Sequence, residues 1–193
     1  MLLAVTKKFP AEVMQEAFEV GLREFGENYV QEFEEKRPAL NALSGAARFH
    51  LIGHLQSNKT KKAAELFQVI QTVDSAKLVR RLAESDAPLE LMIEVKLSHE
   101  EAKYGASPEA IEEIQEAAAP YPNLTLTGLM TMPPWTEDAE QSRPYFSRLR
   151  ELSAKHGLNK LSMGMSHDLE TAIEEGATCV RIGTALFGPR KKV

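Results

Sequence analysis

Eight short apolar runs, at residues 2–6, 24–26, 49–53, 69–73, 91–97, 124–130, 161–163 and 179–182, punctuate this chain from end to end. Each has the length of a strand. The stretches between them carry helical periodicity, at 11–20, 61–67, 76–83, 108–118, 139–155 and 169–175. Strand and helix in alternation is the pattern of a parallel sheet with crossover helices. Two runs, Leu91-Met92-Ile93-Glu94-Val95 and Cys179-Val180-Arg181-Ile182, are almost continuously apolar, as strands covered on both faces are. One charge interrupts each, and a charge there needs a reason. The helix boundaries are also legible: Ser107 before Pro108 and Glu109 reads as a cap with proline at the first helical position, and Gly21, Gly157 and Gly176 sit where helices should stop.

Eight strands in 193 residues leave about 24 residues per strand–helix unit, which is compact but sufficient for a closed (β/α)8 TIM barrel. Closure makes the first strand a neighbour of the last and would bring Lys7 to Arg181. An open doubly wound sheet would usually set those strands apart, and no G-x-G-x-x-G follows a strand here. The expected fold is therefore an α/β barrel, with residues 1–193 as one domain.

The hydrophobic share of 43% and charged share of 26% are those of an ordinary globular protein, and no apolar run approaches the roughly 20 residues that span a bilayer. Membrane insertion is not expected. The start MLLAV lacks a basic leader and a small-residue cleavage site, so no secretion signal is read and the cytoplasm is the expected compartment. A formal charge of -5 opposes general affinity for nucleic acid, and Lys59, Lys61 and Lys62 fall on the solvent face of a helix. The single cysteine, Cys179, lies inside an apolar strand and reads as packing. His50 and His54 are four apart, but Gly53 and a strand-to-loop transition separate them and no third ligand follows, so no metal is expected.

The chemistry-bearing residues cluster at strand ends. Alternation along the first strand puts Leu3, Val5 and Lys7 on one face, so Lys7 would reach the barrel mouth above two interior residues. A lysine amine there can form a Schiff base with an aldehyde. Barrel sites lie at the carboxyl ends of the strands, with phosphate commonly held after strands seven and eight. Those loops here are Gly164-Met165-Ser166-His167 and Gly183-Thr184, rich in glycine, hydroxyls and backbone donors. Each glycine alone is equally the mark of a tight turn. Taken with Arg181 two residues before Gly183, the set suggests a phosphorylated aldehyde. Asn28 ends the second strand, as a donor to a ring substituent or as a turn former, with Glu27 beside it to orient a neighbour. His50 reads either as a satisfied interior histidine or as a surface for a planar ring.

The segments LLAVTK, FGENYVQE, FHLIGHLQSNK, KYG, GLMTM, LSMGMSHDLETAIEEGAT and VRIGTALFG, in this order, resemble the pyridoxal 5′-phosphate homeostasis protein family, single-domain relatives of the alanine racemase N-terminal barrel. The resemblance covers nearly the whole chain. It implies that Lys7 forms the internal aldimine with pyridoxal 5′-phosphate (PLP), that Arg181 approaches the pyridine nitrogen, that Ser166, Gly183 and Thr184 hold the phosphate, and that Asn28 and His50 line the ring. It implies a protein that stores, delivers and buffers the cofactor, with no catalytic residue assigned; apo PLP-dependent enzymes are the expected partners and a monomer the expected state. A lysine Schiff-base enzyme, either an amino-acid racemase or a phospho-sugar aldolase, is the alternative reading. The racemases add a β-rich domain for which this chain leaves no room after Val193. Family members usually also carry a helix before the lysine strand, whereas Met1 here almost begins that strand, so the outside of strands eight and one is expected to be less covered.

Overall fold

The computed structural model describes residues 1–98 and 104–189. Lys103 of the KYG segment and the tail from Arg190 lie outside the described residues. In chain order the strands are β1 (Leu2–Val5), β2 (Glu24–Glu27), β3 (Arg48–Leu51), β4 (Val69–Val73), β5 (Leu89–Glu94), β6 (Leu124–Met130), β7 (Lys160–Met165) and β8 (Cys179–Ile182). The helices are α1 (Ala11–Glu19), α2 (Val30–Lys36), α3 (Thr60–Leu66), α4 (Ala76–Ala83), α5 (Ile111–Ala118), α6 (Arg143–His156), α7 (Leu169–Glu174) and α8 (Thr184–Phe187). Every strand pairs in parallel with the next, and β8 returns to β1 with Leu3 opposite Arg181, closing the barrel that the alternation predicts.

All eight apolar runs become strands, with ends shifted by at most three residues. Helix α2 was not marked by the periodicity, because it is short and only Val30 and Phe33 mark its buried face. The stretch from 139 is a 3₁₀ turn, Ala139–Ser142, before α6 begins with proline in its first turn. Gly157 caps α6 in the left-handed region (φ 66°), and Gly21 and Gly176, each one residue past a helix cap, also have positive φ. Ser107 corrects the expected cap: its backbone is extended before Pro108, but its side chain accepts no capping hydrogen bond and Pro108 opens a 3₁₀ turn.

Strand alternation divides the core in two. Outward residues such as Phe25, Phe49, Leu51, Ile70, Leu91, Ile93 and Leu129 pack beneath the helices with Met14, Phe33, Leu82, Ile111 and Phe146. Inward residues form a small separate apolar cluster, Leu3, Val5, Ile52 and Cys179. Val69, Met92 and Met130 add buried apolar side chains at inward positions, and beside them stand four buried polar ones, His50, Gln71, Ser162 and Arg181. Near the amino ends of the strands, Glu90 accepts from Lys160 (2.6 Å), Thr127 (2.8 Å) and Arg48 (2.9 Å), tying β3, β5, β6 and β7 together. Burial alone would raise the Glu90 carboxyl, but the bonds from Lys160, Arg48 and Thr127 outweigh it and hold the group down to about 2.

Candidate functional site

Lys7 follows β1 at the carboxyl end of the barrel, and its two chain neighbours are both clamped. On one side, Thr6 donates its hydroxyl to Glu27 Oε1 at 2.7 Å. On the other, the Lys8 amide donates to Glu32 Oε1 at 2.5 Å while Lys8 itself sits at φ 64°, a conformation uncommon outside glycine. Lys36 of α2 joins the two carboxylates, its Nζ donating to Glu27 Oε1 (2.9 Å), Glu32 Oε1 (2.6 Å) and the Thr6 carbonyl (3.1 Å). Burial pushes the Glu27 carboxyl up, with Lys36 and the Thr6 hydroxyl pulling against it. The turn that carries Lys7 is thus fixed by ion pairs between β2 and α2. The sequence marks Glu27 as able to orient a neighbour, but Thr6, Lys8, Glu32 and Lys36 carry no such signal, since only the fold brings residues 6, 8, 27, 32 and 36 together.

Arg181 lies inward on β8, buried, with Nη1 donating to Ser162 Oγ and Nη2 to the Thr131 carbonyl, both at 2.8 Å. Burial works against its charge and lowers its pKa from the ordinary value, while Cys179, Glu94 and Asp168 pull the other way. Two loops meet beside it. In the β7–α7 loop, Asp168 accepts the Met165 amide at 2.7 Å, and Ser166 Oγ accepts the Ala185 amide of α8 at 3.2 Å. Gly183 then leads directly into Thr184, the first residue of α8. Hydroxyls and amides of this kind are the donors that suit an anion.

Asn28 directs a buried side-chain oxygen, Oδ1, that has no hydrogen-bond partner in the structure. Gly53 allows its approach: a Cβ at position 53 would stand 2.2 Å from the Asn28 carbonyl oxygen. An orphaned buried acceptor is costly unless something supplies a donor.

These groups share one cavity of about 250 Å³, lined by Lys7, Asn28, Ser166, Arg181, Gly183 and Thr184 together with Val5, Ile52, Met132, Met165, Trp135 and His167. Trp135 and His167, with ring centroids 6.0 Å apart, stand at its edge. Six of the seven residues singled out in the sequence therefore meet. His50 is not among the lining residues. It lies two residues before Ile52 on the same face of β3, with Nε2 2.6 Å from Glu24 and Nδ1 2.9 Å from Gln71. A recess of about 430 Å³ adjoins through Asn28, Ile52 and Met132, with the His54 and Tyr104 rings stacked at 3.7 Å. The smaller cavity is the better candidate, because it combines Lys7, Arg181 and the glycine loop.

Glu94, the charge that interrupts the fifth apolar run, is not marked by sequence as part of the site. It is buried on β5 and lines a further recess that shares Met132, Trp135 and Met165 with the cavity. Burial raises its pKa to about 7, opposed by Arg181 and aided by Asp74. Among the described residues no cluster of His, Cys, Asp and Glu is arranged to hold a metal, and no helix is long and apolar enough to cross a membrane.

Residues 2–191 match the family described as alanine racemase, N-terminal domain. The pyridoxal phosphate homeostasis protein of Pseudomonas aeruginosa is 48% identical over 98% of this chain and 84% of its own length. That of Aquifex aeolicus is 44% identical over 98% of this chain and 87% of its own. Among solved structures, PipY of Synechococcus elongatus with PLP bound superposes with a TM-score of 0.88 at 36% identity, covering 97% of this chain and 92% of that one. Alanine racemase of Corynebacterium glutamicum shares the fold, with a TM-score of 0.75 at 20% identity over 98% of this chain and 56% of that one.

Proposed function

The chain belongs to the pyridoxal phosphate homeostasis protein family and carries the alanine racemase N-terminal domain; from that premise we propose that it binds PLP covalently through Lys7 and holds it for delivery to other proteins. The observation that carries this reading is the meeting of Lys7, Asn28, Ser166, Arg181, Gly183 and Thr184 around one cavity at the carboxyl end of the barrel.

The residues fit the group. When bound, PLP supplies an aldehyde that condenses with an amine, a ring nitrogen, a ring hydroxyl and a phosphate. Lys7 presents the amine from a turn held on both sides. Asn28, whose buried Oδ1 lacks a partner, would meet the ring hydroxyl, and Ser166 with the Gly183–Thr184 amides would hold the phosphate. Arg181, which lines the same cavity, would meet the ring nitrogen. Because a guanidinium does not readily give up its proton, the nitrogen stays unprotonated and the ring is a weak acceptor of carbanion charge. A site of this kind retains the cofactor better than it activates it. In this reading His50 supports the site from beneath, no residue is assigned a turnover step, and residues 1–193 form one cofactor-holding domain. The protein acts as a monomer in the cytoplasm, and apo-enzymes that require PLP are the recipients.

Titration of the purified protein with PLP, followed by visible absorbance, tests the proposal. A saturable band in the wild type that Lys7→Ala abolishes is the expected result. A wild type that remains colourless at excess cofactor would refute it.

A further inference from the structure

Five polar side chains stand in line through the barrel interior, from its amino end to the floor of the cavity. Glu24, at the start of β2, has Oε2 2.6 Å from His50 Nε2. His50 Nδ1 lies 2.9 Å from Gln71 Nε2, Gln71 Oε1 accepts from Ser162 Oγ at 2.6 Å, and Ser162 Oγ accepts from Arg181 Nη1 at 2.8 Å. His50, Gln71, Ser162 and Arg181 are each at most 3% exposed. Four adjacent polar groups at such depth cost stability unless each is satisfied, and apolar residues like the neighbouring Leu3, Val5 and Ile52 could have filled the space.

The chemistry of the groups gives the line a direction. A carboxylate only accepts, so the His50 hydrogen is on Nε2, facing Glu24. Ser162 already accepts from Arg181 and has one hydrogen to give, which goes to Gln71 Oε1. That turns the Gln71 amide nitrogen toward His50, whose Nδ1 accepts. Every donor therefore points the same way, from the guanidinium through three neutral links to the carboxylate. With Nη2 on the Thr131 carbonyl, both terminal nitrogens of Arg181 are anchored on the barrel side.

We propose that Glu24, His50, Gln71 and Ser162 are positioning residues that hold the Arg181 guanidinium in place for the cofactor ring, although none of the four lines the cavity. The proposal rests on reading the cavity as the PLP site, and it assigns His50 a role different from lining the ring. Cofactor affinity then depends on side chains at the far end of the barrel.

Nitrogen-15 NMR of the His50 imidazole in the cofactor-free protein tests the line by itself. The expected spectrum shows a neutral ring protonated at Nε2, with both ring signals displaced in Ser162→Ala, although residue 162 does not touch the imidazole, and restored in Ser162→Thr. Gln71→Glu, which replaces the donor at Nδ1 with an acceptor, should add a proton at Nδ1 while Glu24 keeps the one on Nε2, giving the imidazolium. PLP titration of the same variants reads the consequence: Ser162→Ala should bind about tenfold more weakly, the loss of one hydrogen bond to a charged group, and Ser162→Thr should recover most of that. His50 signals unchanged in Ser162→Ala, or affinity unchanged in Ser162→Ala and Gln71→Glu, would overturn the proposal. If the wild type takes up no PLP, the functional reading and the positioning role fall together, while the imidazole signals still decide whether the line exists.

Discussion

Replacing Glu94 by glutamine keeps the shape of the side chain and removes its charge, and the effect should depend on pH in a calculable way. The folded-state pKa, raised from 4.5 to about 7, means that between those values the native protein binds a proton that the unfolded chain does not. Stability contributed by the neutral carboxyl is complete below pH 4.5 and is lost as pH rises through 7. The raised pKa corresponds to a loss of about 3 kcal/mol at roughly 1.4 kcal/mol for each pH unit of displacement. Burial is the main cause, with Arg181 offsetting part of it, so the removed charge is one that the fold opposes. Urea denaturation of the cofactor-free protein and of Glu94→Gln at pH 5 and pH 8.5 is the assay. The variant's stability relative to wild type should improve by about 2–3 kcal/mol between the two pH values, a relative midpoint shift of about 1–1.5 M at an m-value of roughly 2 kcal/mol per molar. Parallel stability curves, with the same difference at both pH values, would refute the reasoning, since they would mean that Glu94 titrates alike in both states.

Lys36→Met removes the cation shared by Glu27 and Glu32 and should cost about 3 kcal/mol, because the Glu27 side chain is wholly buried. Adding Glu27→Gln should recover much of this in thermal melts; a single variant within about 0.5 kcal/mol of wild type would show that the clamp around Lys7 carries no stability. Gly53→Ala drives a Cβ into the Asn28 carbonyl, so roughly 1–3 kcal/mol of stability should be lost along with cofactor affinity, and unchanged urea midpoint and titration would contradict the close approach. At the barrel's amino end, Glu90, held at about 2, stabilises the fold above pH 4.5 and loses that contribution as pH falls toward 2. Glu90→Gln should accordingly lose roughly 1–2 kcal/mol at pH 7 and little at pH 2, and equal losses at both would argue against the ion-pair cluster.

The barrel was legible because its strands are covered on both sides, so each reads as a short apolar run whatever its partners. Closure followed from the count of runs, and closure alone made Lys7 a neighbour of β8. Residues at strand ends could be assigned to the mouth from position alone, which is why Lys7, Asn28, Ser166, Gly183 and Thr184 were found. His50 shows the limit. Alternation tells that it points inward, but whether it meets a ligand or lies beneath one depends on height in the barrel, and Ile52, one inward position further on, reaches the cavity instead. The line from Glu24 to Arg181 joins five strands, and no spacing in the chain encodes it. Glu94 and Arg181 were visible as interruptions of apolar runs, and the structure supplies the reason: both point into the barrel interior, Arg181 onto Ser162 and Thr131 and Glu94 onto a recess beside the cavity.

The most direct measurement is the site of covalent attachment. The protein would be loaded with PLP, reduced with borohydride and digested, and the modified peptide located by mass. The expected result is a single pyridoxyl group on Lys7, absent from Lys7→Ala; a stable adduct on another lysine, with Lys7 unmodified, would contradict the assignment of this cavity.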